Sequence, residues 1–326
     1  MTDTADVARR GVLDGRRRLP TIEGNSLREG SHQVARVDDR FAHLVRTHPC
    51  LSGEAHARNG RLHLPVSPSC NIQCAFCARG FNKWAQVPGS ARTLLSPDGA
   101  LGIVQRALEL CPEITVVGIA GPGDPLASNH ALRTFGLVHE RFPDLLLCLS
   151  TNGLRLVDKA EEIARVGVRS VTVTVNGVDP VIVAGVVGTV VHEGRVMSGT
   201  EAGSLLISRQ LEGIRKISEL GVLVKINTVL VPGINDHHIG DVARATSAAG
   251  AQRVNVIPLI PQNGLASCRA PTCDELQQAR EAAEEHLEVF RHCQHCRADA
   301  CGIPGIGRDF GAELYEAPVP STFSHG

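Results

Sequence analysis

The sequence predicts an α/β fold in which a parallel sheet is crossed by helices, and three observations carry that prediction. Strand-like and helix-like segments alternate from residue 61 onward, the pattern of strands joined by crossover helices. The 326 residues, 43% hydrophobic and 21% charged, are those of one large globular domain. No solenoid repeat or low-complexity tract interrupts the alternation, and the Gly- and Val-rich stretch 177–203 is the nearest thing to one.

Residues 1–60 carry no clear periodicity and are read as an N-terminal extension. "RLHLPVS" (61–67) predicts the first strand, and "SPDGALGIVQRALEL" (96–110) a helix opened by a Ser cap with Pro in its first turn. The apolar run "EITVVGIA" (113–120) predicts a strand, followed by a helix within 127–142 and a strand "LLLCLS" (145–150). "DKAEEIARVG" (158–167) reads as helix and "SVTVTVN" (170–176) as strand. Beyond the Gly/Val stretch come a helix at 204–220, a strand "VLVKINTVL" (222–230), a helix at 236–249, a strand "RVNVIPLI" (253–260) and a last helix at 273–289. Six such strands fit an open doubly wound sheet or an incomplete barrel. In both, the functional edge lies at the C-terminal ends of the strands.

Composition excludes several classes of function. With 33 basic and 34 acidic residues there is no global field to attract nucleic acid or an anionic membrane. Aromatic content of 3% argues against a base-stacking platform. No run is long and apolar enough to span a bilayer, and the N-terminal stretch reads neither as a secretory signal nor as a transit peptide. The eleven cysteines are then expected in a reducing, cytoplasmic setting, holding metal rather than forming disulfides.

Cys70, Cys74 and Cys77, in "SPSCNIQCAFCARG" (67–80), stand at C-x-x-x-C-x-x-C spacing with no fourth cysteine in the run. A structural zinc site calls for four closed ligands. Three thiolates instead hold three irons of a [4Fe-4S] cluster and leave the fourth open to an exogenous ligand. This motif, with Phe76 before the third cysteine, resembles the radical S-adenosylmethionine (SAM) superfamily. The resemblance implies an incomplete (β/α)6 barrel over 61–290, flanked by the extension and by a cluster-binding tail at 291–326. It also implies that SAM chelates the open iron and is cleaved to a 5'-deoxyadenosyl radical, with a ferredoxin or flavodoxin as low-potential reductant. In the same family, "AGPGDP" (120–125), with Gly121, Gly123 and Asp124, resembles the Gly-rich motif that receives the SAM amino group. "STNG" (150–153), with Ser150, Thr151 and Asn152, resembles a further SAM-contacting segment. Asn176, Lys225 and Asn227 would reach the ribose or carboxylate of SAM, and Ile257 in "NVIPLI" (255–260) would lie along its adenine.

Longer strings resemble one branch of that superfamily, the NifB proteins of nitrogenase cofactor biosynthesis. They are "HPCLSGEAH" (48–56), "CNIQCAFC" (70–77), "AGPGDPLA" (120–127), "LCLSTNGL" (147–154), "RQLEGI" (209–214), "VLVPGIND" (229–236) and "RHCQHCRADA" (291–300). This implies two further [4Fe-4S] clusters as substrates, fused around a SAM-derived carbide into an eight-iron precursor. It also implies a cluster donor and a cofactor acceptor or carrier protein as partners. Mixed, incomplete ligation suits clusters that must be released. The candidate ligands are Cys50, Cys148, His43 and the pair Cys293/Cys296, with Cys301 as a third ligand beside that pair. Cys111, Cys268 and Cys273 have no motif and are read as structural.

The likeness departs from the branch after Cys77. NifB proteins usually continue with a Cys and a Glu in a "C-x-N-E-S-R-P-G" run, where this chain places Asn82 and Ala85 in "ARGFNKWAQVPGSART". "VIVAGVVGTV" (181–190) likewise lacks the aromatic residues expected there. Either other groups, such as Cys301 or a histidine, complete the substrate site, or the substrate differs. The alternatives are a radical SAM maturase acting on a peptide or small metabolite, and a non-catalytic cluster carrier. The SAM-like strings count against the carrier.

Overall fold

The computed structural model describes residues 39–315 apart from Gln294. Of the expected extension and tail, residues 1–38 and 316–326 lie outside the described residues. Six parallel strands form the centre: β1 (Gly60–His63), β2 (Ile114–Ile119), β3 (Leu146–Thr151), β4 (Val168–Thr174), β5 (Leu223–Leu230) and β6 (Arg253–Pro258). They lie side by side in chain order. Consecutive order distinguishes an incomplete barrel from a doubly wound sheet, whose order reverses midway. The short strand Glu288–Val289 extends the edge at β6 in parallel, and Cys301–Gly302 pairs antiparallel with β1. The sheet stays open.

The strands are two-faced, and this creates the interior. Leu62, Leu64, Val117, Ile119, Leu147, Leu149, Val171, Val173, Val224, Ile226, Val254 and Val256 are fully buried in the main core. The alternate positions, including His63, Gly118, Cys148, Thr172, Lys225 and Asn227, line a central cavity instead. Period-2 alternation therefore turns an apolar face to the helices and a polar, thiol-bearing face inward. Helix α3 (Ala100–Leu110) buries Ala100, Val104 and Ala107 against that outer face, a spacing that keeps them on one stripe.

Several boundaries differ from the sequence expectation. Two short helices, α1 (Ala42–Thr47) and α2 (Gly53–Arg58), occupy the described part of the extension. Ser96 does not cap α3 but accepts the Gly99 N–H one turn earlier, at 3.2 Å. The Gly/Val stretch is ordered: Pro180–Val186 is a helix capped by Asp179, and Val187–His192 with Arg195–Ser198 forms a hairpin. The hairpin pairs antiparallel with Ile72–Cys74, in the register Ile72↔Val190 and Gln73↔Thr189. Val183, Val186, Val187 and Val190 bury together with Leu154 and Leu206, and Cys70, Cys74 and Phe76 pack on this second core. The aliphatic run therefore holds the cysteine loop. The last helix ends at Glu284 instead of 289. Among the described residues, no helix is long and apolar enough to cross a membrane.

Candidate active site

A cavity of about 310 Å³ runs through the barrel interior, within the size range of small-molecule and cofactor sites. Its upper end is the loop carrying Cys70, Cys74 and Cys77, just past β1. Three segments are laced together there. Gly123 donates its N–H to the Ser67 carbonyl at 2.9 Å, and the Asp124 N–H reaches the Ser69 carbonyl at 2.8 Å. A Cβ on Gly123 would lie 2.0 Å from the Ser69 carbonyl oxygen, so only glycine permits this approach. The buried Asp124 carboxylate accepts from Thr151 Oγ1 at 2.9 Å and from the backbone N–H groups of Asn152 and Leu126 at 2.6 and 2.8 Å. Asn152 Nδ2 donates to Asn71 Oδ1 at 2.7 Å and lies 3.9 Å from Cys70 Sγ.

The residues fit a three-thiolate cluster. Burial pushes the Cys70 thiol up to about 11 and raises Cys74 and Cys77 as well, while the Arg79 guanidinium pulls all three down. Metal would therefore displace their protons on binding. No fourth cysteine belongs to this loop, which leaves one coordination position to another ligand.

The lower end brings together residues distant in sequence. Cys50, Cys148 and Cys296 gather there with Lys225 and Arg61, and His48, His63, Cys293 and His295 line the same cavity. His63, Gly118 and Cys148 stand in register on β1, β2 and β3. A Cβ on Gly118 would come within 2.9 Å of the His63 ring, so the glycine makes room for the imidazole between two strands. His63 Nδ1 donates to the Arg297 carbonyl at 2.9 Å, and burial lowers its pKa to about 4. The neutral ring keeps its Nε2 lone pair, the form in which histidine ligates metal. Burial pushes the Cys50 thiol up to about 12, against the pull of Lys225.

Phe76, Gly123, Asp124, Ser150, Thr151, Asn152, Asn176, Lys225, Asn227 and Ile257 all line the cavity. Asn176 Oδ1 also accepts the Val229 N–H at 2.9 Å, tying the end of β4 to β5. Gly121 does not line it; its α-carbon faces Ala298, and its φ of +143° is open to glycine. His43 departs from the expectation: it lies exposed on α1 and is not among the residues lining the cavity, whereas His48 and His63 are. Cys301 is likewise fully buried beside Leu62 and does not reach the cavity.

Asn82 and Ala85 sit outside the cavity lining. Asn82 Oδ1 accepts the N–H groups of Trp84 and Ala85 at 3.0 and 2.6 Å, closing a turn. Arg297, 1% exposed, donates to the carbonyls of Asn82 and Ala85 and pairs with Asp299 at 2.8 Å. Asp299 also holds Arg92, at 3.2 Å. Sequence reasoning missed Arg61, His48, His63, His295 and Arg297. Period-2 alternation through "RLH" was the available signal for Arg61 and His63.

The radical SAM superfamily profile matches residues 64–246, and the chain is a radical SAM enzyme. The fold agrees: a radical SAM methyltransferase from Sphaerobacter thermophilus superposes with a TM-score of 0.53 at 17% identity, over 71% of this chain and 65% of that one. Within the superfamily the chain belongs to the NifB family. It is 42% identical over 266 residues to the FeMo cofactor biosynthesis protein NifB of Methanocaldococcus infernus, across 81% of this chain and 88% of that protein. It is 44% identical over 289 residues to the Klebsiella pneumoniae protein of the same name, across 86% of this chain and 61% of that one.

Proposed function

We propose that this chain works in FeMo cofactor biosynthesis, with Cys70, Cys74 and Cys77 holding the [4Fe-4S] cluster that binds SAM and the lower cavity holding iron-sulfur clusters as substrates. The observation that carries this reading is one cavity lined both by the three-cysteine loop and by the cluster of Cys50, Cys148 and Cys296, with Cys293 also in its lining. When bound and reduced, the upper cluster supplies the electron that cleaves the SAM sulfonium. The chain's own part is placement: Gly123 and Asp124 fix the SAM-side loop, Ile257 and Phe76 supply apolar walls, and Cys148 and His63 flank the open floor at Gly118. In the finer form of this reading, the substrate clusters are joined around a SAM-derived carbon into an eight-iron precursor. A cluster donor, a ferredoxin or flavodoxin reductant and an acceptor or carrier protein complete it, in the cytoplasm.

A second reading, a maturase acting on a peptide or metabolite with auxiliary electron-transfer clusters, is favoured by one observation. Asn82 and Ala85 form a backbone turn where a Cys and a Glu are expected. Iron and sulfide counts after anaerobic reconstitution test the proposal on the wild type and on a Cys70/Cys74/Cys77→Ala variant. About three clusters in the wild type and the loss of one in the variant are expected, followed by carbide-containing cluster formation with SAM. A wild type holding one cluster would sink the substrate-cluster reading.

A further inference from the structure

The lower cavity holds two buried cations. Lys225, 6% exposed, donates from Nζ to the Cys50 carbonyl at 3.3 Å and lies 5.3 Å from the Phe290 ring centroid. Arg61, 9% exposed, donates from Nη1 to the Gly302 carbonyl at 2.8 Å and from Nη2 to Cys296 Sγ at 3.0 Å, and its Nε is buried without a partner. Among the described residues, neither cation forms an ion pair with a carboxylate. Asp124 is the acidic side chain of the cavity lining, and it is engaged at the upper end by Thr151, Asn152 and Leu126. Asp309, whose charge Arg61 feels, already accepts the N–H groups of Cys301 and Gly311.

The two ends of the cavity have separate cations. Lys225 acts on His48, Cys50 and Cys148, whereas Arg79 acts on Cys70, Cys74 and Cys77. Lys225, expected from the resemblance to reach the SAM ribose or carboxylate, has its Nζ on the Cys50 carbonyl, beside the lower thiols. Buried charge is costly unless it is paired, so two cations facing thiols define a place for an anion.

We infer that Lys225 and Arg61 are the charge-compensating residues of the lower site and select, as its occupant, a net-negative iron-sulfur cluster held by Cys50, Cys148 and Cys296. The inference rests on the proposed reading that clusters occupy this end. A [4Fe-4S] core with three thiolate ligands is anionic, while an uncharged peptide segment or an amine metabolite would leave both cations unmatched. The roles divide by geometry. Arg61 hydrogen-bonds a ligand sulfur, which withdraws charge from it, and Lys225 acts through space.

The test is an EPR-monitored redox titration of the anaerobically reconstituted full chain, with iron and sulfide counts, on wild type, Lys225→Met, Lys225→Arg and Arg61→Lys. Lys225→Met is expected to retain the SAM-responsive signal of the three-cysteine cluster. Its auxiliary clusters should titrate at more negative potential or with reduced occupancy, and Lys225→Arg should restore both. Arg61→Lys, which keeps the charge but loses the guanidinium fork, should change the auxiliary signal by less than Lys225→Met. Auxiliary potentials and occupancy unchanged in Lys225→Met would overturn the inference alone. Loss of only the SAM-responsive signal would overturn it too, placing Lys225 on SAM. A wild type with a single cluster would remove the underlying reading and the inference with it.

Discussion

Individual residues decide how closely the cavity walls approach each other. Gly123 stands where a Cβ would meet the Ser69 carbonyl at 2.0 Å. Gly123→Ala should therefore part the Gly-rich loop from the cysteine loop, weakening SAM binding by at least about tenfold, or 1.4 kcal/mol, by calorimetry on the reconstituted protein. Arg297 is buried, paired with Asp299, and bonded to two carbonyls of the turn after the cysteines. Arg297→Met leaves Asp299 with Arg92 alone, and a loss of about 3–5 kcal/mol is expected in urea unfolding. The residue scale is also where the sequence is least legible. His43 lies near the "HPC" string and is visible in one dimension, whereas the row His63–Gly118–Cys148 exists only across three paired strands.

Elements show the same division between local and distant causes. The helix Cys273–Glu284 is set by a capping box between Thr272 and Glu275, a purely local device. Thr272→Ala should cost about 1 kcal/mol in thermal or urea unfolding. The Arg269 hydrogen bond, then the Thr272 backbone N–H, hold the Glu275 carboxyl down to about 2. This lowered value means that its stabilising contribution is present above the unfolded pKa near 4.5 and is lost as pH falls through about 2. The urea midpoint of wild type should fall more than that of Glu275→Gln across that window. The segment 180–198 has the Asp179 cap as its local signature, but its valines gain their burial from Ile72, Leu154 and Leu206, which lie outside the segment. Leu206→Ala should cost about 2–5 kcal/mol and loosen the strand bearing Cys74, read as unfolding free energy together with iron content.

At the scale of the whole molecule, the cavity joins residues from α1's end to the C-terminal segment. Cys50 and Cys296 come within reach of one cation pair although 235 residues separate Arg61 from Cys296. Metal bound there links both ends of the chain, so it stabilises the folded state by mass action. Reconstituted protein should melt at higher temperature than chelator-stripped protein under anaerobic calorimetry, and the gap should shrink in a Cys50/Cys296→Ser variant. An equal gap in that variant would deny the lower cysteines any share in metal binding.

The α/β alternation, the three-cysteine motif and the family were legible in one dimension, because each is written in local spacing: period-2 strands, helical stripes, and cysteines within one loop. The sequence also marked Cys50, Cys148, Cys293 and Cys296 as a group, through strings shared with NifB proteins. The choice between a doubly wound sheet and an incomplete barrel came from the strand order, and the cavity lining includes His63 and not His43. The folded chain also makes the Gly/Val stretch the support of the cysteine loop and sets Lys225 against the Cys50 carbonyl. The physical reason is that strand order, inward facing and burial of charge are set by partners far along the chain, and no window of sequence contains both members of such a pair.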